Sequence, residues 1–300
     1  MDNKVIRQGL RDIRPDEVDH IQKVAKCFPG LSRHELAQTL CEHLSWYSPS
    51  GAPKVKNCLT LLDRLADQGF VALPAKSARG RLTPDKPPAF THRTTERPLI
   101  KGPLKAFSPI ALQRVDDKAQ VQLWNEYVAR YHPLRYKRPF GDWLRYFLSA
   151  HDERLGCLLI SGAARALHHR DQWIGWSAAK RRRNLPWVIN NSRYLIFPWV
   201  EVANLASHVL GQLARRVGDD WERRWGYRPL LLETFVDPAR FHGGCYRAAG
   251  WELLGRTTGE GLVRPGRQYR TRPKLIFAKP LQADFRRLLC SDQLKGTTEL

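Results

Sequence analysis

Seven prolines between positions 74 and 109 limit this chain's folding more than any other sequence feature: Pro74, Pro84, Pro87, Pro88, Pro98, Pro103 and Pro109. Proline has no amide hydrogen and clashes with the turn before it, so no helix runs through such a stretch. Mixed with Arg, Lys, Thr and Gly, the segment reads as an extended linker over 74–109. It separates a small unit, 1–73, from a larger one, 110–290, followed by a tail over 291–300. No internal repeat is present.

The small unit reads as three helices and a strand. The first helix starts near Pro15, with Val18, Ile21 and Val24 on one face. Ser32 and Glu35 form a capping box for the second, along which Leu36, Leu40 and Leu44 recur every fourth residue. The third spans about 54–68, and Phe70-Val71-Ala72-Leu73 follows as a short strand. This order is winged-helix-like. It would put Lys54 and Lys56 at the start of a helix entering a major groove; the alternative is a three-helix cap.

Charge narrows the partner. Lys and Arg total 50 against 29 Asp and Glu, a net +21, and 35 of the 50 are arginine. Guanidinium forks suit phosphates and stack on rings, so a polyanion is expected, with nucleic acid ahead of an anionic membrane. A chain with 42% apolar residues and 10 Trp packs a core. No run of about 18 apolar residues would span a bilayer, and no signal-peptide pattern opens the chain. The six cysteines show no CxxC, which fits reduced thiols in a cytoplasmic protein better than a zinc ribbon or a disulfide scaffold. No metal site is indicated.

In the larger unit, 120–131 and 140–148 read as helices. Strands are expected at 155–160, 194–197, 230–236, 251–254 and 274–278, a helix over 204–217 with Asn204 as its cap, and a short helix over 244–249. The alternation predicts α/β with a partly parallel sheet.

Three segments carry more polar residues than packing needs. In 165–176, His168 beside Asp171 has the makings of a general base with its orienter, and Trp173 and Trp176 could stack on bases; a solvated turn with core tryptophans is the plainer reading. In 178–194, Lys180, Arg181, Arg182 and Arg183 suit phosphates, and Asn190 and Asn191 suit base edges. In 233–251, Glu233 sits inside an apolar strand and needs a partner; it is a candidate acid or base, or a structural partner of Arg193. Asp237 ends that strand, where α/β sites gather. Gly243, Gly244, Cys245 and Tyr246 follow as a candidate ligand pocket, together with Asn204. Neither GxxxxGK[ST] nor HExxH nor GxSxG appears.

The runs HHRDQWIGW (168–176), NNSRYLI (190–196), NLASHVL (204–210), LLETFVD (231–237) and CYRAAGWELLG (245–255) resemble the DruA-type family of the Druantia anti-phage system. Relatives of that family accompany bacterial transposable elements. The resemblance covers about 100–290 and implies a bacterial protein acting on nucleic acid. The element order also resembles a Gcn5-related acyltransferase core, a mixed α/β sheet. Those enzymes hold pyrophosphate on a glycine-rich loop before the central helix. Here that loop is Trp199-Val200-Glu201-Val202-Ala203-Asn204, without glycine, which argues against acetyl-CoA and leaves the cofactor open. The expectation is a component that binds single- or double-stranded DNA and hands it to partners such as a helicase. The alternative is an enzyme that modifies or cleaves nucleic acid with Glu233 and Asp237.

Overall fold

The computed structural model describes residues 6–9, 11–28, 31–73, 88–139, 141–259 and 272–294. The chain divides into two compact units: Met1–Thr83 with Trp225–Tyr227 and Gln293–Leu300, and Pro84–Arg224 with Arg228–Asp292.

The first unit opens with an antiparallel hairpin, β1 (Ile6–Gln8) and β2 (Arg11–Ile13). Helix α1 (Pro15–Cys27) starts on a proline, whose missing N–H costs nothing there. Helix α2 (Arg33–His43) carries the expected capping box: Glu35 N donates to Ser32 Oγ at 3.3 Å, and Ser32 N donates to Glu35 Oε2 at 2.9 Å. Helix α3 (Val55–Asp67) closes the unit, and Ile21, Leu36, Leu40, Cys41, Cys58, Leu61 and Leu65 form its core. The strand expected at 70–73 is not formed. Phe70 N donates to Leu65 O at 2.8 Å, finishing α3, and 71–73 pair with no strand. Among the described residues, the strands of this unit stand before the helices, not after them.

The second unit contains, in order, β3 (Ile100–Gly102), β4 (Ile110–Arg114), α4 (Lys118–Tyr131), β5 (Trp143–Ala150), β6 (Glu153–Gly162), α5 (His168–Ile174), α6 (Ala178–Asn184), β7 (Val188–Ile196) and β8 (Val200–Val202). Then come α7 (Leu205–Trp225), β9 (Leu231–Val236), α8 (Gly244–Ala248), β10 (Glu252–Arg256), β11 (Leu275–Pro280) and α9 (Phe285–Leu289). A seven-stranded mixed sheet runs β10-β11-β9-β7-β6-β5-β4. Its junctions are antiparallel apart from β7 with β9. The α/β class with a partly parallel sheet is therefore what the chain forms.

Two expectations change here. Residues 143–150 make a strand, not a helix. Both of its faces are used: the Tyr146 hydroxyl meets Asp220 on α7, while the next ring, Phe147, lies edge-on to Tyr127 of α4. Period-two alternation delivers neighbours to opposite layers, which a helix cannot do. Residues 88–109, expected as linker, lie in the second unit. Thr91 and Thr94 hydroxyls donate to the buried Glu126 carboxylate of α4, Tyr131 donates to Thr94 O at 2.7 Å, and β3 pairs in parallel with β8. Among the described residues no helix is long and apolar enough to cross a membrane.

Asp220 gives a pH-dependent element of stability. Burial raises its pKa, but donation from Arg216, Tyr146 and Arg223 outweighs burial and holds it below the ordinary carboxylate value. A depressed folded pKa stabilises fully above the unfolded value, about 3.9, and that contribution is lost as pH falls through the lower folded value. Urea unfolding from pH 6 down to pH 2 is expected to give a shallower loss of stability for Asp220→Asn than for the parent. Parallel curves would show that Asp220 does not contribute to acid unfolding.

Candidate functional site

Strands β7 and β9 pair for three residues: Val188 with Leu231, Ile189 with Leu232 and Asn190 with Glu233. Beyond them the strands part. β7 continues to Ile196 with its other edge held by β6, and β9 continues to Val236 with its other edge held by β11. The facing edges enclose a cavity of about 520 Å³, lined by consecutive residues of both strands, Tyr194-Leu195-Ile196 and Thr234-Phe235-Val236-Asp237. Lining by consecutive residues means that the gap lies between the strands and not on one face of the sheet. This is the carboxyl end of a parallel pair, where α/β sites form.

Fixed side chains complete the walls. Tyr194 donates to Ala206 O at 2.8 Å, and the buried Tyr246 packs edge-on to Trp251 and stacks on Phe277. Burial raises the pKa of both tyrosines. Thr234 donates to Asn191 O at 2.9 Å, and Asn191 Nδ2 donates to the Tyr246 hydroxyl at 3.2 Å. Asn191 Oδ1 is buried with no donor among the described residues. His132 lines the cavity; burial, and then Arg193, push its pKa down to about 4. It is therefore neutral at pH 7, with Nδ1 accepting from Leu134 N at 3.1 Å. Leu134 and Phe241 stand at the mouth, 55% and 57% exposed. The cations of the lining are Arg240 and Lys274, and neither has an acidic partner among the described residues.

Several expected site residues come together at this cavity: Asn191, Asp237, Gly243, Cys245 and Tyr246. Gly243 has φ +71, and a Cβ there would meet the Phe277 ring at 2.6 Å, so the turn into α8 requires glycine. Burial raises the Cys245 pKa, which disfavours a thiolate. Asp237 Oδ1 accepts from Ala239 N at 3.1 Å, shaping the β9–α8 turn. Gly244 and Asn204 are outside the lining. Asn204 has φ +60, and its carbonyl, accepting from His208 N at 3.0 Å, begins the ladder of α7. Asn190 sits at the last position where β7 pairs with β9.

Glu233 faces away from this cavity. Its Oε1 accepts from Ala164 N at 2.7 Å, and its Oε2 from Arg170 Nη1 at 2.8 Å, both carboxylate and guanidinium fully buried. The partner is Arg170, not Arg193, whose guanidinium donates to the carbonyls of Arg135 and Ser192. Nothing in the local sequence marks Arg170 as that partner, since it lies 63 residues away. For Arg170, burial opposes the charge, but Glu233 and Asp171 outweigh it and raise the pKa.

Asp171 belongs to the same buried network. It accepts from Arg170, from Trp176 Nε1 at 3.1 Å, from Leu167 N at 3.1 Å and from Arg181 Nη1 at 3.0 Å. With both oxygens so engaged it does not orient His168, whose ring instead lies edge-on to His169. The acid–base pair expected there is not assembled. Trp176 is buried, and Trp173 donates to Glu252 and stacks on the Arg286 guanidinium, so neither presents a free face to a base. The basic run forms α6, where Lys180 and Arg183 pair with Asp292 and Arg181 pairs with Asp171. Arg182 also has a partner, as do Lys54 and Lys56 at the start of α3.

The segment entering α7 offers no phosphate cradle. Residues Val200–Val202 are committed to β3 as strand β8, and Glu201 pairs with Lys101 at 3.2 Å. The segment thus lacks the glycine-rich run whose backbone amides would hold a pyrophosphate. Among the described residues, no three His, Cys, Asp or Glu side chains converge to hold a metal ion.

Residues 65–272 match the family model described as Druantia protein DruA. By sequence the chain matches no curated protein. Among solved structures it is similar to aminoglycoside acetyltransferase AAC(6')-Ib with coenzyme A and kanamycin, at 16% identity over 59% of this chain and 98% of that one, with a TM-score of 0.37. It is also similar to Arabidopsis thaliana NAA60 with acetyl-CoA, at 12% identity over 57% and 98%, TM-score 0.39. A third is yncA from Salmonella typhimurium with acetyl-CoA, at 11% identity over 58% and 95%, TM-score 0.35. Likeness at this level transfers no activity.

Proposed function

We propose, from the premise that this chain belongs to the DruA family of Druantia proteins, that it is the DNA-binding component of a bacterial anti-phage defence system. The observation that carries this reading is the cavity mouth. Its cations, Arg240 and Lys274, without an acidic partner among the described residues, stand with the exposed Phe241 and Leu134 in a chain of net charge +21. Cations beside an exposed ring are what a phosphate backbone and unstacked bases require together. The four-cation run of α6 is a weaker candidate, because acidic partners already engage it. A cutting or modifying enzyme built on Glu233 finds less support, since Arg170 and Ala164 occupy that carboxylate. Engaged DNA would then pass to a partner such as a helicase.

Binding should fall steeply with salt, because each neutralised phosphate releases counterions: a log–log slope of about −0.9 per contacted phosphate on duplex and about −0.7 on single strands. Fluorescence anisotropy with single- and double-stranded oligonucleotides from 50 to 300 mM salt measures it. A salt-independent affinity, or binding to neither strand type, would sink the reading.

A further inference from the structure

The cavity has a shape and chemistry more specific than backbone binding needs. A groove that only followed phosphates would require cations and no depth. This site is instead a slot between two strand edges, with the ring of Tyr246 in its wall and Phe241 at its mouth. Its volume of about 520 Å³ lies in the range that holds small organic ligands. The walls are already fixed by the hydrogen bonds of Tyr194 and Asn191, so no ordering is needed when a flat ring enters.

The polar groups favour a heteroaromatic ring over a hydrocarbon. Asn191 is 3% exposed, and its Oδ1 lacks a donor. A buried acceptor left unsatisfied is costly, and such exceptions call for an explanation. An N–H donor on an entering ring would supply one, and a carboxamide is the side chain that pairs with base edges. Arg240 and Lys274 belong to the same lining and are the cations there that a phosphate attached to such a ring could meet.

We propose that this cavity takes one nucleobase turned out of its strand, with Phe241 stacked against it at the mouth, Arg240 and Lys274 on the flanking phosphates and the Asn191 carboxamide on its edge. The proposal rests on the DNA-binding reading and sharpens it: the preferred DNA carries a single-stranded or unpaired nucleotide, for which the cost of unstacking is already met. The same base-and-phosphate chemistry exists in free nucleotides, and the test separates the two sources.

The test uses the full chain at one fixed salt concentration. Affinities are compared for a fully paired duplex, the same duplex with one unpaired nucleotide, the corresponding single strand and a free nucleoside monophosphate. The unpaired and single-stranded DNAs are expected to bind more tightly than the paired duplex, and the monophosphate to compete weakly. Phe241→Ala, at an exposed position that folding tolerates, is expected to weaken the first two by about five- to 150-fold, the range for loss of one base–aromatic stack. The loss for the paired duplex should be smaller, and Phe241→Trp should preserve the preference. Equal affinity for paired and unpaired DNA, with no effect of Phe241→Ala, would overturn the base proposal while leaving DNA binding standing. Monophosphate binding as tight as that of the oligonucleotides would overturn the DNA-borne source. Failure to bind any DNA would overturn the reading beneath it.

Discussion

Arg170→Met is expected to destabilise the protein by about 3–5 kcal/mol, because it leaves one partner of a buried ion pair without the other. For a chain of this size that corresponds to a fall in Tm on the order of 10 °C. Arg170 is fully buried, and its guanidinium is spent on Glu233, on Ala164 O at 2.8 Å and on Asp171. Without it, Glu233 keeps one backbone donor inside the sheet. The same reasoning makes the double variant Arg170→Met, Glu233→Leu more stable than the single one, since an apolar replacement of the whole pair is often neutral or better. Urea unfolding of parent, single and double variants decides the matter. A single variant as stable as the parent would show that the pair contributes nothing net, and would return Glu233 to consideration as a free acid.

Gly156→Ala should rank with it. A Cβ at this position would stand 2.2 Å from Leu195 O, 3.0 Å from Leu148 Cδ1 and 3.2 Å from Ile196 Cα. The first of these is backbone, so no side-chain rotation relieves it, and β6 and β7 must move apart. Overpacking of this kind costs about 1–3 kcal/mol, and more where main chain has to shift. Gly156 pairs with Ile196, at the far end of the strand that walls the cavity. Weaker binding of DNA by the folded fraction should therefore accompany the lower Tm. Unchanged melting of Gly156→Ala would mean that β7 yields freely at this point.

Features carried by local chemistry were legible in the sequence. The Ser32–Glu35 box marks a helix start because both groups lie within one turn, and 230–236 reads as a strand because it is short and apolar apart from Glu233 and Thr234. Strand β5 was not legible. The run from Trp143 to Phe147 does not alternate, since both its faces are buried, and the sequence around it suits a helix equally well. The hairpin of β1 and β2 was missed because three-residue strands rich in Arg and Gln carry no pattern. For Glu233 the need for a partner could be read from one buried charge. Its identity could not, because Arg170 lies 63 residues away and is brought in by the placement of α5 beside the sheet. The cavity is legible only in part: Asn191, Asp237 and Tyr246 carry local signals, whereas Phe241, Arg240 and Lys274 carry none. Where β7 and β9 part is a matter of register between distant segments, which no local spacing encodes.

The parting of β7 from β9 also bears on how such a site can diverge among descendants of one ancestor. Its long walls are strand edges, and substitution changes side chains while leaving the course of the main chain almost untouched. What the slot admits must then be retuned at its rim, in the segments that carry Leu134 and Phe241, and at a few inward groups such as Asn191. Loops tolerate replacement and insertion far better than paired strands do. The frame is thus the part of the slot that substitution alters least, and the rim is the part it alters most readily.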